Sequence, residues 1–204
     1  MSYSKKPRNK EKTVNKIYDK FFKLVLEEGY HKASTNKIAK KANISIGTLY
    51  HHFPEGKKDI IRKYFENSVE TSVELSAFEK FDMSNIASVF RGFVSNVLKN
   101  HRKNKAYQMA FRSALLSDKT LSQAHRERVI AISTDLVDKL QETSDFFKSI
   151  EKPRLIRSIV FVYNIVNAII YHHLVFMDLF EKDDDLVDYV SNLLGFTITY
   201  FQKK

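Results

Sequence analysis

The 204-residue sequence is 43% hydrophobic, with 16 Phe, 10 Tyr and only 3 Pro. That composition excludes a disordered chain and leaves room for one compact domain or two small ones with a sizeable core. With no cysteine, disulfides and thiolate chemistry are excluded as well. The formal charge of +10 is one-sided: residues 1–63 carry 16 Lys/Arg against 6 Asp/Glu, and the remainder carries 18 of each. A basic module joined to a neutral body fits binding to a polyanion, the plainer alternative being a lysine-rich solvated surface.

The start MSYSKKPRNKEK is basic, and no apolar run follows it. No secretory signal is expected, and a cytoplasmic location is the simplest reading. Val14, Ile17, Tyr18, Phe21, Phe22, Leu24 and Val25 then recur at helical spacing, predicting an amphipathic helix over about 10–28. Gly29 follows its last turn, where a left-handed C-cap residue is expected. Ser34 or Thr35 can cap a short helix through Ala42, and Ser45 can cap another through His52, each oxygen accepting from unpaired backbone N–H groups. Helices this short are marginal alone because nucleation is costly, so packing must hold them.

Ile60, Ile61, Tyr64, Phe65, Val69 and Val73 carry the helical pattern through 57–77, and further helices are expected at about 84–100, 104–116, 120–148, 153–177 and 184–201. The stretch GFTITYF at 195–201 is locally strand-prone, but it continues directly from SNLLG and is read as helix. The predicted fold class is therefore all-α. Residues 1–56 form an N-terminal three-helix unit, and residues 57–204 form a helical bundle.

Residues 158–177, SIVFVYNIVNAIIYHHLVFM, carry no Asp, Glu, Lys or Arg and at 20 residues are just long enough to span a bilayer. Asn164, Asn167, His172 and His173 would be costly in lipid, so a helix buried within protein is expected and no membrane is called for. With Leu186, Val187, Val190, Leu193, Leu194 and Ile198 of the last helix, this segment can supply two helices from each of two subunits to a four-helix interface. Periodicity alone leaves subunit core and dimer seam both open.

The most informative stretch is ASTNKIAKKANISIGTLYHHF, residues 33–53. Ile38, Ala39, Ile44, Leu49 and Tyr50 are placed for two short helices to cross the first one, and Ala39 must be small because overpacking costs roughly 1–3 kcal/mol. Asn43 stands at the bend, where a residue tolerant of positive φ is wanted. These features suit a helix-turn-helix, whose second helix enters the major groove. Gly47 weakens that helix by roughly 0.8–1 kcal/mol relative to Ala, and close backbone approach to DNA is a reason to keep it.

The stretch TNKIAKKANISIGTLYHHF resembles the TetR/AcrR family of one-component transcriptional regulators in its small-residue turn, its glycine-threonine pair and its tyrosine-histidine-aromatic cluster, over about residues 12–65. The resemblance implies a homodimeric regulator, a repressor or activator, that binds double-stranded operator DNA. It also implies a small-molecule effector in the C-terminal body, with residues 57–77 as the link to the DNA-binding unit. By resemblance Ile38, Ala39, Ala42, Asn43, Ile44, Leu49 and Phe53 are scaffold. Thr35, Asn36, Ser45, Ile46, Gly47, Thr48, Tyr50, His51 and Lys57 lie where family members approach DNA.

Chemistry sorts those contacts: Thr35, Tyr50, His51 and Lys57 suit phosphates, while Asn36, Ile46, Gly47 and Thr48 lie nearer base edges. No Arg or Lys lies in the second helix, which excludes a bidentate arginine–guanine contact from it. One departure stands out. The family places a lysine three residues after the aromatic at Phe53, where this chain has Gly56, so that Lys57 or Lys58 is left to reach phosphate. Tail residues Lys5, Lys6, Arg8, Lys10 and Lys12 either join the DNA contact or remain solvated charge.

In the body, Phe90, Phe93, Tyr107, Met109, Phe111, Tyr163, Asn167 and Tyr171 are candidates to line a pocket for a lipid-like or aromatic effector, with ordinary core packing as the alternative. No cofactor or metal is expected. His51-His52 and His172-His173 lack a Cys or nearby carboxylate to complete a ligand set, and adjacent helical side chains should diverge. No phosphate cradle or nucleophile elbow points to an enzyme. A helical interaction module that does not bind DNA is the remaining alternative.

Overall fold

The computed structural model describes residues 7–70 and 84–202, and among these it is all-α. Ten helices follow in order: α1 Pro7–Glu28, α2 Thr35–Ala42, α3 Ile46–His52, α4 Lys57–Glu70, α5 Ile86–Lys103, α6 Lys105–Ser117, α7 Lys119–Thr143, α8 Asp145–Lys148, α9 Lys152–Val175 and α10 Asp183–Gln202. The strand-prone stretch at 195–201 is helical, because it prolongs an apolar face already packed from Leu186 onward. The expected extension to Ala77 lies outside the described residues.

Two compact units result, one formed by Met1–Asn67 with Ala106–Gln123 and the other by Ser68–Lys105 with Ala124–Lys204. The first unit thus runs past residue 56 into α4 and takes in Ala106–Gln123, and aromatic packing is the reason. In the first unit, Phe22 of α1 meets Tyr64 of α4 at 4.6 Å and Tyr107 of α6 at 4.9 Å between ring centroids. Phe65 stacks on Phe111 at 6.2 Å, and Tyr64 also meets Phe111 at 6.0 Å. Aromatic pairs of this geometry add about 0.5–1.5 kcal/mol each beyond area burial. Gln108 Nε2 donates to the Tyr64 hydroxyl at 3.4 Å. Burial raises the phenols of Tyr18 and Tyr64 above their ordinary value.

In the second unit, α5, α9 and α10 share one core. Phe90, Val94, Val97 and Leu98 of α5 pack with Val166 and Ile170 of α9 and with Leu186, Val187, Val190 and Leu194 of α10. Arg91 pairs with Asp184 and Asp188, and Arg102 with Asp183, along the same two helices. A second cluster joins Val137, Leu140, Phe147 and Leu155. The single helix expected over 120–148 is interrupted to make it. Ser144 is extended at φ −134°, ψ 125°, which turns Phe147 back against α7, while Gln141 Nε2 donates to the carbonyls of Phe147 and Ile150 at 3.1 and 2.9 Å.

Helix α9 is long and apolar enough to cross a membrane by length and composition, with a mean hydropathy of 1.5 over its most apolar window. Its Leu155, Ser158, Val166, Ile170 and His173 are buried inside the unit.

Candidate nucleic-acid interface

The α2–α3 corner is built from local chemistry. Ser34, rather than Thr35, caps α2: it is extended at φ −79°, ψ 152°, and its Oγ accepts from the Lys37 N–H at 3.3 Å. Asn43 ends the helix in the left-handed region at φ 50°, ψ 53°, and the Ile44 N–H returns to the Ala39 carbonyl at 3.1 Å. Ser45 then caps α3, its Oγ lying 2.9 Å from the Thr48 N–H and 2.8 Å from the Thr48 hydroxyl. Ile38, Ala39, Ala42, Leu49 and Phe53 are buried, Ile44 is half-buried and Asn43 is exposed.

The opposite face is open. Asn36, Ser45, Gly47 and His51 are exposed, Thr35 and Thr48 half-buried. Ile46 and Tyr50 are 40% and 45% exposed, large apolar surface on a helix of 7 residues. Tyr50 Oη lies 3.3 Å from Thr35 Oγ1, joining the start of α2 to α3. Beneath this pair runs Gly56 at φ +65°, where an added Cβ would come within 3.1 Å of Thr35 Cγ2. Gly47, by contrast, would meet only Ser45 Oγ, at 3.7 Å, so nothing inside the unit requires a glycine there.

The cations do not all face outward. Lys37 Nζ is 2.5 Å from Glu28 Oε2 and Lys41 Nζ is 3.1 Å from Glu27 Oε2. The Lys37 ammonium holds the Glu28 carboxyl below the usual carboxylate range. Lys57, expected on phosphate, turns inward: its Nζ donates to the Tyr30 and His31 carbonyls at 2.9 and 3.4 Å and lies 4.1 Å from the Tyr30 ring centroid. Burial lowers its pKa, against the opposing pull of Asp118. The physical reason is the extra residue: the left-handed turn at Gly56 rotates the start of α4 so that Lys57 tops the α1–α2 turn while Lys58 is exposed. Lys10, Lys12 and Lys40 are exposed too, and Lys5 and Lys6 lie outside the described residues.

His52 is half-buried with its ring tilted against Phe53 at 6.5 Å. Burial, then the charges of His51, Lys10 and Lys63, lower its pKa. The His51 and His52 rings do not diverge; they meet edge to face at 5.2 Å. Among the described residues no third His, Cys, Asp or Glu joins them in a group able to hold a metal. Lys63 is the residue that sequence reasoning passed over, and the left-handed turn at Gly56 went unread. A glycine directly before a helix-starting lysine pair was the available signal for the turn.

The expected effector-lining residues fall in both units. Tyr107 and Phe111 pack into the aromatic cluster of the first unit, and Met109 of the same helix is half-buried. Phe90 is core in the second unit, Phe93 packs against that core, and Tyr163, Asn167 and Tyr171 are half-buried on α9. Asn167 Nδ2 donates to the Tyr163 carbonyl at 2.8 Å within the helix. A surface groove of about 340 Å³ is lined by Asn96, Lys99, Asn100, Lys103 and Asn104 around the end of α5.

Residues 17–64 match the family described as bacterial regulatory proteins, tetR family. A curated relative, the fatty acid metabolism regulator protein of Bacillus subtilis (strain 168), is 31% identical over 67 residues, covering 33% of this chain and 34% of the relative. The chain thus matches about a third of that relative's length. Among solved structures, the fatty acid degradation regulator FadR from Bacillus halodurans aligns with a TM-score of 0.63 at 20% identity, over 95% of this chain and 97% of that one. A putative TetR-family regulator from Syntrophomonas wolfei str. Goettingen aligns at 0.66 and 16% identity, over 94% and 95%. At such identities the structures show a common fold along nearly the whole chain. The helix-turn-helix segment, residues 17–64, is thus similar to the tetR family of bacterial regulatory proteins, and it sits within a fold shared with the structures named above.

Proposed function

We propose that the protein is a cytoplasmic DNA-binding transcriptional regulator, a repressor that binds a pseudo-palindromic operator as a homodimer. The observation that carries this reading is the outer face of α3, a capped helix on which Gly47 and His51 are exposed, Ile46 and Tyr50 are 40% and 45% exposed and Thr48 is half-buried. Ile46 and Thr48 suit thymine methyls, Asn36 suits an adenine edge, and Tyr50, Thr35 and Lys58 suit phosphates.

Two copies supply two such helices, which reach half-sites about 34–36 Å apart or at a compatible multiple. A self-association face is supported by exposed apolar residues of the second unit: Phe161 on α9, and Tyr189, Leu193 and Phe196 on α10. Large apolar groups displayed on consecutive helical turns mark an interaction surface.

The effector of this reading is an apolar small molecule. The relatives named as regulators of fatty acid metabolism and degradation favour a fatty-acid-derived one. Such a ligand acts only by binding the DNA-competent and DNA-incompetent conformations unequally.

The test is a gel shift with DNA upstream of the protein's own gene at several salt concentrations. Specific retention that declines with salt supports the regulator. Equal, weak retention of unrelated DNA overturns it and returns the chain to the class of helical interaction modules. Adding a long-chain fatty acid or its coenzyme A thioester to the same titration tests the effector separately.

A further inference from the structure

Helix α3 has only 7 residues, too few to hold its own direction. Its start is fixed by Ser45. At its other end the chain leaves the helix at Phe53, φ −135° and ψ 79°, with the Phe53 N–H closing on the Leu49 carbonyl at 2.8 Å. The His52 carbonyl lies among those that a helix leaves without an intrahelical donor. It accepts from Lys63 Nζ of α4 at 2.7 Å. That ammonium also sits 5.2 Å from the centroid of the fully buried Phe53 ring, and 3.6 Å from Oδ2 of Asp59, a carboxylate only 1% exposed.

Asp59 is itself held from the solvent side, its Oδ1 accepting from Arg62 Nε at 3.1 Å. A buried carboxylate therefore aims a lysine one turn further along α4 at the C-terminus of α3, where the helix dipole also favours a cation. The bond is charge-assisted, which makes it stronger and more directional than an ordinary cap.

We propose that Lys63 is a positioning residue for DNA recognition: its ammonium, oriented by Asp59, grips the His52 carbonyl and sets the angle at which α3 is presented, without contacting DNA. The inference rests on the operator reading above. It places Lys63, like the inward-turned Lys57, apart from the exposed cations of the basic module, because a lysine committed to a backbone carbonyl neutralises no phosphate and releases no counterion.

The experiment titrates the full-length wild-type protein, Lys63→Met and Lys63→Arg with the upstream DNA from about 50 to about 300 mM salt, well below the melting midpoint of each. Methionine keeps the apolar stem and removes the donor. Lys63→Met is expected to bind ~10-fold more weakly at every salt concentration, with the slope of log affinity against log salt unchanged, and Lys63→Arg to recover most of the loss. In the free protein, amide exchange at Phe53 is expected to quicken in Lys63→Met while that at Ile44 stays as in the wild type.

A slope shallower by about 0.9 would place Lys63 on a phosphate and overturn the proposal. Wild-type affinity in Lys63→Met, even with a lowered melting midpoint, would reduce the residue to a stabiliser and overturn it too. If Lys63→Met does not fold, Lys63→Leu, which likewise lacks both donor and charge, is carried through the same titration with the same two criteria. Failure of the wild-type protein to retain the DNA would overturn the operator reading itself, and this inference with it, before any variant is compared.

Discussion

Tyr50 and Thr35, fifteen residues apart and on different helices, bring their hydroxyl oxygens to 3.3 Å at the open face of the helix-turn-helix. One of the two O–H groups donates within this pair, which leaves the other proton for an outside acceptor; when Thr35 donates, the Tyr50 hydroxyl keeps its own for a phosphate. Replacing Tyr50 by Phe is expected to weaken operator binding about 5- to 10-fold, uniformly across operator variants, with the melting midpoint nearly unchanged. A double-mutant cycle with Thr35→Val should show coupling between the two sites. Unchanged affinity in Tyr50→Phe would remove the phosphate assignment.

Gly47 separates folding from recognition. An added methyl there meets open space apart from Ser45 Oγ at 3.7 Å, so Gly47→Ala should stabilise the folded protein by up to about 0.8–1 kcal/mol through helix propensity. Operator affinity should fall at the same time, because the methyl occupies the gap into which DNA approaches. Denaturant unfolding and filter binding on one preparation measure both, and a variant that is more stable and binds equally well would end this account of the glycine.

The pH dependence follows from His52, whose pKa lies below the ordinary 6.5 because of burial first and neighbouring positive charge second. The folded protein therefore prefers the neutral ring. Between the lowered pKa and 6.5 the unfolded chain binds more protons, so the contribution is complete above 6.5 and is lost as pH falls through that window. Unfolding midpoints in denaturant from pH 7.5 to pH 5 should fall more steeply for the wild type than for His52→Gln. Parallel curves would show that His52 is not the titrating group.

Self-association is tested at Phe196, 81% exposed on α10. Phe196→Asp leaves the interior of a single copy untouched, so the far-ultraviolet helical signal should persist while sedimentation shifts from dimer to monomer. Operator affinity should drop with it, since a lone half-site contact loses the effective concentration that linkage supplies. A variant that remains dimeric would move the association face elsewhere.

Where local chemistry decides, the sequence was readable. Ser45 as a cap, Asn43 with positive φ, Gly29 after α1 and the buried Leu49 and Phe53 all follow from residue type and spacing. Direction and partner were not so readable. Lys57 has the composition of a phosphate contact, but the left-handed turn at Gly56 sends its ammonium to the Tyr30 and His31 carbonyls. Helical spacing left Tyr107 and Phe111 open between pocket lining and core without naming a neighbour, and they pack on Phe22, Tyr64 and Phe65. The bend at Ser144 was hidden for the same reason: a serine inside an amphipathic run breaks a helix only when a tertiary contact, here that of Phe147, makes the break worthwhile.

The membership of Ala106–Gln123 in the first compact unit bears on how such a protein can be taken apart. The DNA reader is not a contiguous cassette. A chimera that transplants only the first 67 residues onto a foreign sensor would strip Phe22, Tyr64 and Phe65 of the rings of Tyr107 and Phe111, exposing a wet aromatic wound where the native chain has a seal. Modular exchange in this fold must carry the later helix along, so the reader and part of its sequel are inherited together.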